Sequence, residues 1–203
     1  MCKLKICKIM KNKSLWIVLS IVAVVLIWGV SAYNGLVSKE ERVSSAWANV
    51  ETVYQRRADL IPNLVNTVKG YAAHESETLA EVTEARAKST AISIDPSTAT
   101  PEQMEAWMRA QSEVGSALGR LIAIAENYPD LKANQNFLEL QKQLEGTENR
   151  ISTERRKYNE EVRDYNVKLR RFPTNIIAGM FGFEKRVMFE AQEGAEVAPV
   201  VEF

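Results

Sequence analysis

The sequence predicts an all-α chain: one N-terminal transmembrane helix, then an elongated antiparallel four-helix bundle with long first and fourth helices. Three observations predict it. The stretch Leu15 to Ala32, LWIVLSIVAVVLIWGVSA, carries no charge, and a helix of that length rises roughly 27 Å, close to the ~30 Å hydrocarbon thickness of a bilayer. Beyond it, apolar residues recur at alternating spacings of four and three, the a/d seam of packed helices. Breakers are sparse, with Pro62 the only proline between the span and Pro96.

The anchor comes first. Residues 1–13 hold Lys3, Lys5, Lys8, Lys11 and Lys13 and no acid, whereas Lys39 and Arg42 beyond the span are offset by Glu40 and Glu41. This lysine bias predicts a cytoplasmic N-terminus and a translocated C-terminal region. The expected organisation is a basic N-terminus at 1–13, a transmembrane helix at 14–32, a helical bundle at 33–172 and an apolar tail at 173–203. Trp16 and Trp28 lie near the two ends of the span, where an amphipathic ring suits the interface. Val30-Ser31-Ala32 resembles a signal-peptide cleavage site, but the apolar run exceeds the ~7–15 residues of a signal h-region, which favours a retained anchor. No cysteine follows the span, which excludes a lipoprotein junction. Cys2 and Cys7 precede it on the predicted reducing side, a poor place for a structural disulfide. Net charge is zero, so five lysines at the N-terminus leave the remainder at −5. Nucleic acid, which needs a basic stripe, is excluded as a partner; the lysines suit anionic headgroups.

The first bundle helix is expected from about Asn34 to Ala73, continuing the membrane helix, with the seam Val43, Trp47, Val50, Tyr54, Arg57, Ile61, Leu64, Val68 and Tyr71. Arg57 alone breaks the apolar rule among these residues. Pro62 is expected to kink this helix without ending it, because the seam keeps its phase across it. Helix two is expected over Glu75 to Lys88, turning in Leu79, Val82 and the stem of Arg86. A Ser/Thr-rich loop with Asp95-Pro96 follows. Helix three opens on a capping box, with Thr100 as N-cap, Pro101 at the first helical position and Gln103 reaching back. Its stripe is Met104, Trp107, Met108, Gln111, Val114, Leu118, Leu121, Ile122 and Ala125; Gly115 and Gly119 either admit a close helix neighbour or simply weaken the helix. After Tyr128-Pro129-Asp130, helix four is expected from Asn134 to Arg170, with Leu144, Ile151, Tyr158 and Tyr165 recurring every seven residues. Val162 and Leu169 fill the other seam position, which Glu148 and Arg155 occupy further up. The tail is read as one or two amphipathic turns over Thr174 to Met180, a break at Phe181-Gly182-Phe183 and then a strand-like run through Val187 and Phe189.

Several motifs resemble the LemA family of bacterial membrane-anchored proteins. They are Tyr33-Asn34-Gly35-Leu36, Trp47-Ala48-Asn49-Val50-Glu51 and Tyr54-Gln55-Arg56-Arg57-Ala58-Asp59-Leu60-Ile61-Pro62-Asn63-Leu64-Val65, then Tyr128-Pro129-Asp130-Leu131-Lys132-Ala133-Asn134, Leu144-Glu145-Gly146-Thr147-Glu148-Asn149-Arg150-Ile151, Arg163-Asp164-Tyr165-Asn166 and Phe172-Pro173. The resemblance implies a single-pass bacterial protein whose soluble part is an elongated antiparallel helical bundle; the expected location is the cytoplasmic membrane. It supplies no reaction and no catalytic residues.

Two groups of residues stand out. Arg56, Arg57, Asp59 and Asn63, with Glu148 and Arg155 in the opposing seam, suit either a partner site or a polar network that fixes helix register. Phe181, Phe183, Phe189 and Phe203 make a tail that needs cover, from the bundle or from a partner. The end, Val201-Glu202-Phe203, also fits strand addition of the PDZ kind. His74 is the only histidine and lacks the Glu-x-x-His context of a di-metal bundle, so no metal or cofactor is expected; a role at the end of the first helix is. The sequence thus favours a non-enzymatic, membrane-tethered bundle whose surface binds other membrane or envelope proteins, its own copies or the adjacent lipid bilayer. The alternatives are a hydrolase or transferase with a carboxylate-lined site, and a membrane sensor, for which thirteen residues before the span leave no room for an output domain.

Overall fold

A computed structural model describes residues 2–190, with side chains from Leu15 onward. The described residues are mostly helical, with no strand among them. Six helices follow in order: α1 (Cys2–Lys69), α2 (Ser76–Ala91), α3 (Pro101–Ala125), α4 (Pro129–Lys132), α5 (Gln135–Arg170) and α6 (Thr174–Phe181). The span and the first bundle helix are therefore one helix, and Pro62 lies inside it without ending it. The helix ends at Lys69, so the basic residue in its last turn is Lys69, and His74 lies beyond the helix. The expected turn at Tyr128-Pro129-Asp130 contains the short helix α4. The strand-like tail run is an irregular segment, since no neighbouring strand offers it a ladder.

The chain divides into two compact units. One gathers Arg42–Arg163 with the segment that starts at Arg186. Its core draws on Ile61, Leu64 and Val68 of α1, Leu79 and Val82 of α2, Val114, Leu118 and Leu121 of α3, Leu131 of α4, and Phe137 and Leu144 of α5. The α1 seam buries as its spacing demands from Val43 to Val68, but its last position shifts: Ala72 is buried and Tyr71 is exposed. The helix has already ended there, and the turn changes which side chain faces in. Tyr71 instead accepts a hydrogen bond from Asn134 Nδ2 at 2.8 Å. Asn134 also caps α5, its Oδ1 accepting from Phe137 N–H at 3.0 Å. On α3 the capping box is complete: Gln103 N–H donates to Thr100 Oγ1 (3.3 Å), and Thr100 N–H donates to Gln103 Oε1 (3.0 Å). Ala110 and Ala117 are buried in the α3 stripe, while Met108, Gln111 and Ile122 are only partly covered. A Cβ built at Gly115 or Gly119 meets nothing within 4 Å, so no helix approaches closely there.

The other unit gathers the residues up to Glu41 with Asp164–Lys185. Leu36 and Tyr165 are fully buried in it, and Lys39 Nζ pairs with Asp164 Oδ2 at 3.0 Å. Gly182, at φ 73°, ends α6 in a left-handed conformation that glycine adopts without strain, and Phe183 N–H closes back on Ala178 O at 3.0 Å. The apolar residues of the span face outward, with Trp16 69% and Ile27 72% exposed. This is one helix long and apolar enough to cross a membrane.

Candidate functional site

The site begins with Arg57, placed in the α1 seam by the four-three spacing and only 3% exposed. A guanidinium there must find partners, because burying a charge without hydrogen bonds is costly. Arg57 Nη1 donates to Glu148 Oε1 at 3.0 Å, and Nη2 donates to Gln111 Oε1 at 2.6 Å and Gln111 O at 3.0 Å. The guanidinium carbon also lies 4.9 Å from the centre of the Tyr54 ring, within reach of a cation–π attraction. Arg57 Nε, though buried, has no partner among the described residues. Three helices, α1, α3 and α5, are thus joined at one buried cation.

The other sequence-predicted residues divide sharply. Arg56, Asp59 and Asn63 are exposed and do not join the network; Asp59 Oδ1 instead accepts from Gln55 Nε2 at 2.7 Å. At about 100° per residue, offsets of −1, +2 and +6 turn these three side chains roughly 100–160° away from Arg57 around the helix. Glu148 joins the network from outside the core. Its side chain is 46% exposed, and the buried residue in that turn is Thr147, whose hydroxyl donates to Gln143 O at 2.7 Å. Arg155 stands over the Phe189 ring at 4.8 Å and donates to Glu190 O at 3.3 Å.

Arg57 lies between two hollows. The larger, an open cleft of about 900 Å³, is lined by Tyr54, Arg57, Arg109, Gln111, Glu148 and Arg155 among others. A smaller one of about 180 Å³ lies against Tyr54, Arg57, Ser89 and Trp107. Burial pushes the Tyr54 hydroxyl above its ordinary range, while the positive charges of Arg155 and Arg57 pull the other way. The arrangement concentrates cationic and hydrogen-bonding groups at the cleft wall, with Glu105, Glu148 and Glu190 on the same wall. Among the described residues no group of three or more His, Cys, Asp or Glu side chains could hold a metal ion.

The second feature is the clamped segment that follows Arg186. Asn159 on α5 bonds both backbone groups of Phe189: its Oδ1 accepts from the N–H at 2.8 Å and its Nδ2 donates to the C=O at 2.9 Å. Tyr158 donates its hydroxyl to Val187 O at 3.0 Å, and Arg186 Nη1 donates to Ser97 O. Phe189, 5% exposed, enters an aromatic cluster with Trp47, Trp107 and Tyr158, its ring centre 5.1–5.9 Å from theirs. Burial pushes the Tyr158 hydroxyl up to about 12. In the other unit, Phe181 and Phe183 both pack on Tyr33, at 4.8 and 5.7 Å between ring centres. Phe203 and the 201–203 end lie outside the described residues.

The motif resemblance is matched by a family model described as LemA family, which covers residues 46–203. The chain belongs to the LemA family. Magnetosome protein MamQ 2 of Paramagnetospirillum magneticum is 27% identical over 186 residues, covering 83% of this chain and 68% of its own. Magnetosome protein MamQ of Magnetospirillum gryphiswaldense is 29% identical over the same shares. A protein named LemA from Metamycoplasma hominis is 27% identical over 160 residues, covering 79% of this chain and 69% of its own. None of these names is an enzyme name. The matched LemA region contains the whole Arg57 network and the Phe189 clamp.

Sequence reasoning missed three groups in this LemA-family chain: Gln111 as the acceptor for Arg57, Asn159 as the clamp on Phe189, and the tyrosine hydroxyls as tail ligands. Tyr158 and Tyr165 carried a usable signal. A tyrosine in a seam position must find an acceptor for its hydroxyl, and Tyr165 finds Glu184 O at 3.0 Å. Asn159 lies four residues after Arg155 and three before Val162, at the edge of the seam and half-buried, but nothing in that spacing names Phe189 as its partner.

Proposed function

We propose that this LemA-family chain is a single-pass protein of the bacterial cytoplasmic membrane that acts by binding. Its N-terminus is cytoplasmic, and its helical part works outside the cytoplasm on other membrane or envelope proteins or on its own copies. The observation that carries the reading is α1 itself, one helix that holds both the exposed apolar stretch from Leu15 and the buried Arg57. Exposed apolar side chains in such number call for lipid. In this reading Arg57, Gln111 and Glu148 set the register of α1, α3 and α5, the best-attested use of buried polar groups. The cleft wall at Arg109 and Arg155 and the exposed Arg56, Asp59 and Asn63 form the partner surface.

Site-specific photo-crosslinking in intact cells tests this. A crosslinker at Arg109 or Asp59 is expected to yield adducts with envelope proteins or with a second copy. No adduct from either position, with the protein in the membrane fraction, would overturn the binding reading. A reporter fused after Phe203 that is active only in the cytoplasm would overturn the topology.

A further inference from the structure

Helix α6 is apolar, and much of it is uncovered. Ile176, Met180 and Phe181 are 51%, 72% and 59% exposed, and Phe172 just before the helix is 78% exposed. Water is a poor medium for such a cluster, because every apolar side chain left exposed forgoes the gain of leaving water.

Its position within its own unit says what covers it. A Cβ at Gly29 would lie 3.9 Å from Ile177 Cδ1, and Gly29 is inside the uncharged span. Phe181 packs on Tyr33, one residue past the end of that span. So α6 lies beside the last turn of the apolar stretch, where hydrocarbon gives way to headgroups. The charge fits as well. From Tyr165 to Phe183 the chain carries Lys168, Arg170 and Arg171 and no acid. Basic residues flanking an apolar turn with phenylalanines are what an interfacial helix presents to phosphate headgroups and the acyl boundary.

We propose that α6 is a second membrane contact: a short helix lying in the interface, with Phe172, Ile176 and Met180 in the lipid and Arg170 and Arg171 at the headgroups. The span holds the chain in the membrane, and α6 fixes the emerging end of α1 against the bilayer surface. This inference rests on the tether reading above.

The test uses the full chain with Cys2→Ser and Cys7→Ser, reconstituted in phosphatidylcholine–phosphatidylglycerol vesicles. An environment-sensitive fluorophore is placed at Met180→Cys, at Ile176→Cys or, inside the span, at Val22→Cys. Lipids carrying a nitroxide near the headgroup are expected to remove about half the emission of the Met180 and Ile176 probes, as for a helix seated at the interface. Lipid quenching at Val22, by a nitroxide deeper in the chain, with none at Met180 and Ile176 would overturn the α6 contact and leave the tether standing. No lipid quenching at any of the three would overturn both. Disulfide crosslinking of Met180→Cys between copies, without lipid quenching, would show a second copy on this face and would also overturn the proposal.

Discussion

Arg57 Nη1 and Glu148 Oε1 meet at 3.0 Å, yet the two side chains live in different media, one 4% exposed and the other 46%. Breaking the pair from its two ends therefore has unequal consequences. Arg57→Leu leaves a carboxylate that water can solvate and removes an unpartnered Nε, so stability is expected to stay level or rise by about 1–2 kcal/mol. Glu148→Ala leaves a buried guanidinium with no anion, held by Gln111 and the Tyr54 ring, and is expected to cost about 1–3 kcal/mol. Urea unfolding of both variants in detergent checks the order. A larger loss in Arg57→Leu would show that the pair is a net source of stability.

The segment after Arg186 should open when its clamp is cut. Asn159→Ala strands both the N–H and the C=O of Phe189, at an expected cost of about 1–3 kcal/mol. Trypsin cleavage at Arg186 should then quicken roughly tenfold. Phe189→Ala empties the space between Trp47, Trp107 and Tyr158 and should cost about 3–5 kcal/mol. Unchanged proteolysis in both variants would mean the clamp does not hold the segment in solution.

High pH should weaken the same contact. The Tyr158 hydroxyl is raised from 10.0 to about 12 by burial, so the unfolded chain loses that proton before the folded one does. The stabilisation is fully present below about pH 10 and is lost as pH climbs towards 12, with a ceiling of roughly 2–3 kcal/mol. Tyr158→Phe should flatten most of this decline when unfolding is measured at about pH 9 and pH 11.5. Tyr54 is raised in the same direction and keeps a smaller slope in the variant. An identical decline in both proteins would refute the assignment.

Alanine at Gly115 or Gly119 should stabilise. Each position has open space for a Cβ, and alanine exceeds glycine in a helix interior by about 0.5–1 kcal/mol. A loss of stability, read as a lower melting temperature, would reveal a close neighbour in the assembled protein.

How much of this was legible in the residues varies with the range of the interaction. The α3 capping box spans three residues, and Thr100 and Gln103 were both readable. Arg57 was readable as buried, because burial in a seam follows from phase alone. Its acceptors were not, since Gln111 and Glu148 lie 54 and 91 residues away. Neighbours in the chain misled: Arg56, Asp59 and Asn63 looked like one cluster with Arg57 but point elsewhere. The tail looked strand-like because it alternates, yet Asn159 and Tyr158 satisfy its backbone in place of a partner strand.

By itself the sequence determined the uncharged span, the helix periods, the cap on α3 and the all-helical class, since each is a property of residues within a few turns of one another. The tertiary structure alone decided that Thr147 and not Glu148 is buried, that Asn159 grips Phe189, and that α6 lies beside Gly29. Those outcomes depend on which helix faces meet. Periodicity can name a buried face, but only packing, which closes contacts across scores of residues, names what it is buried against.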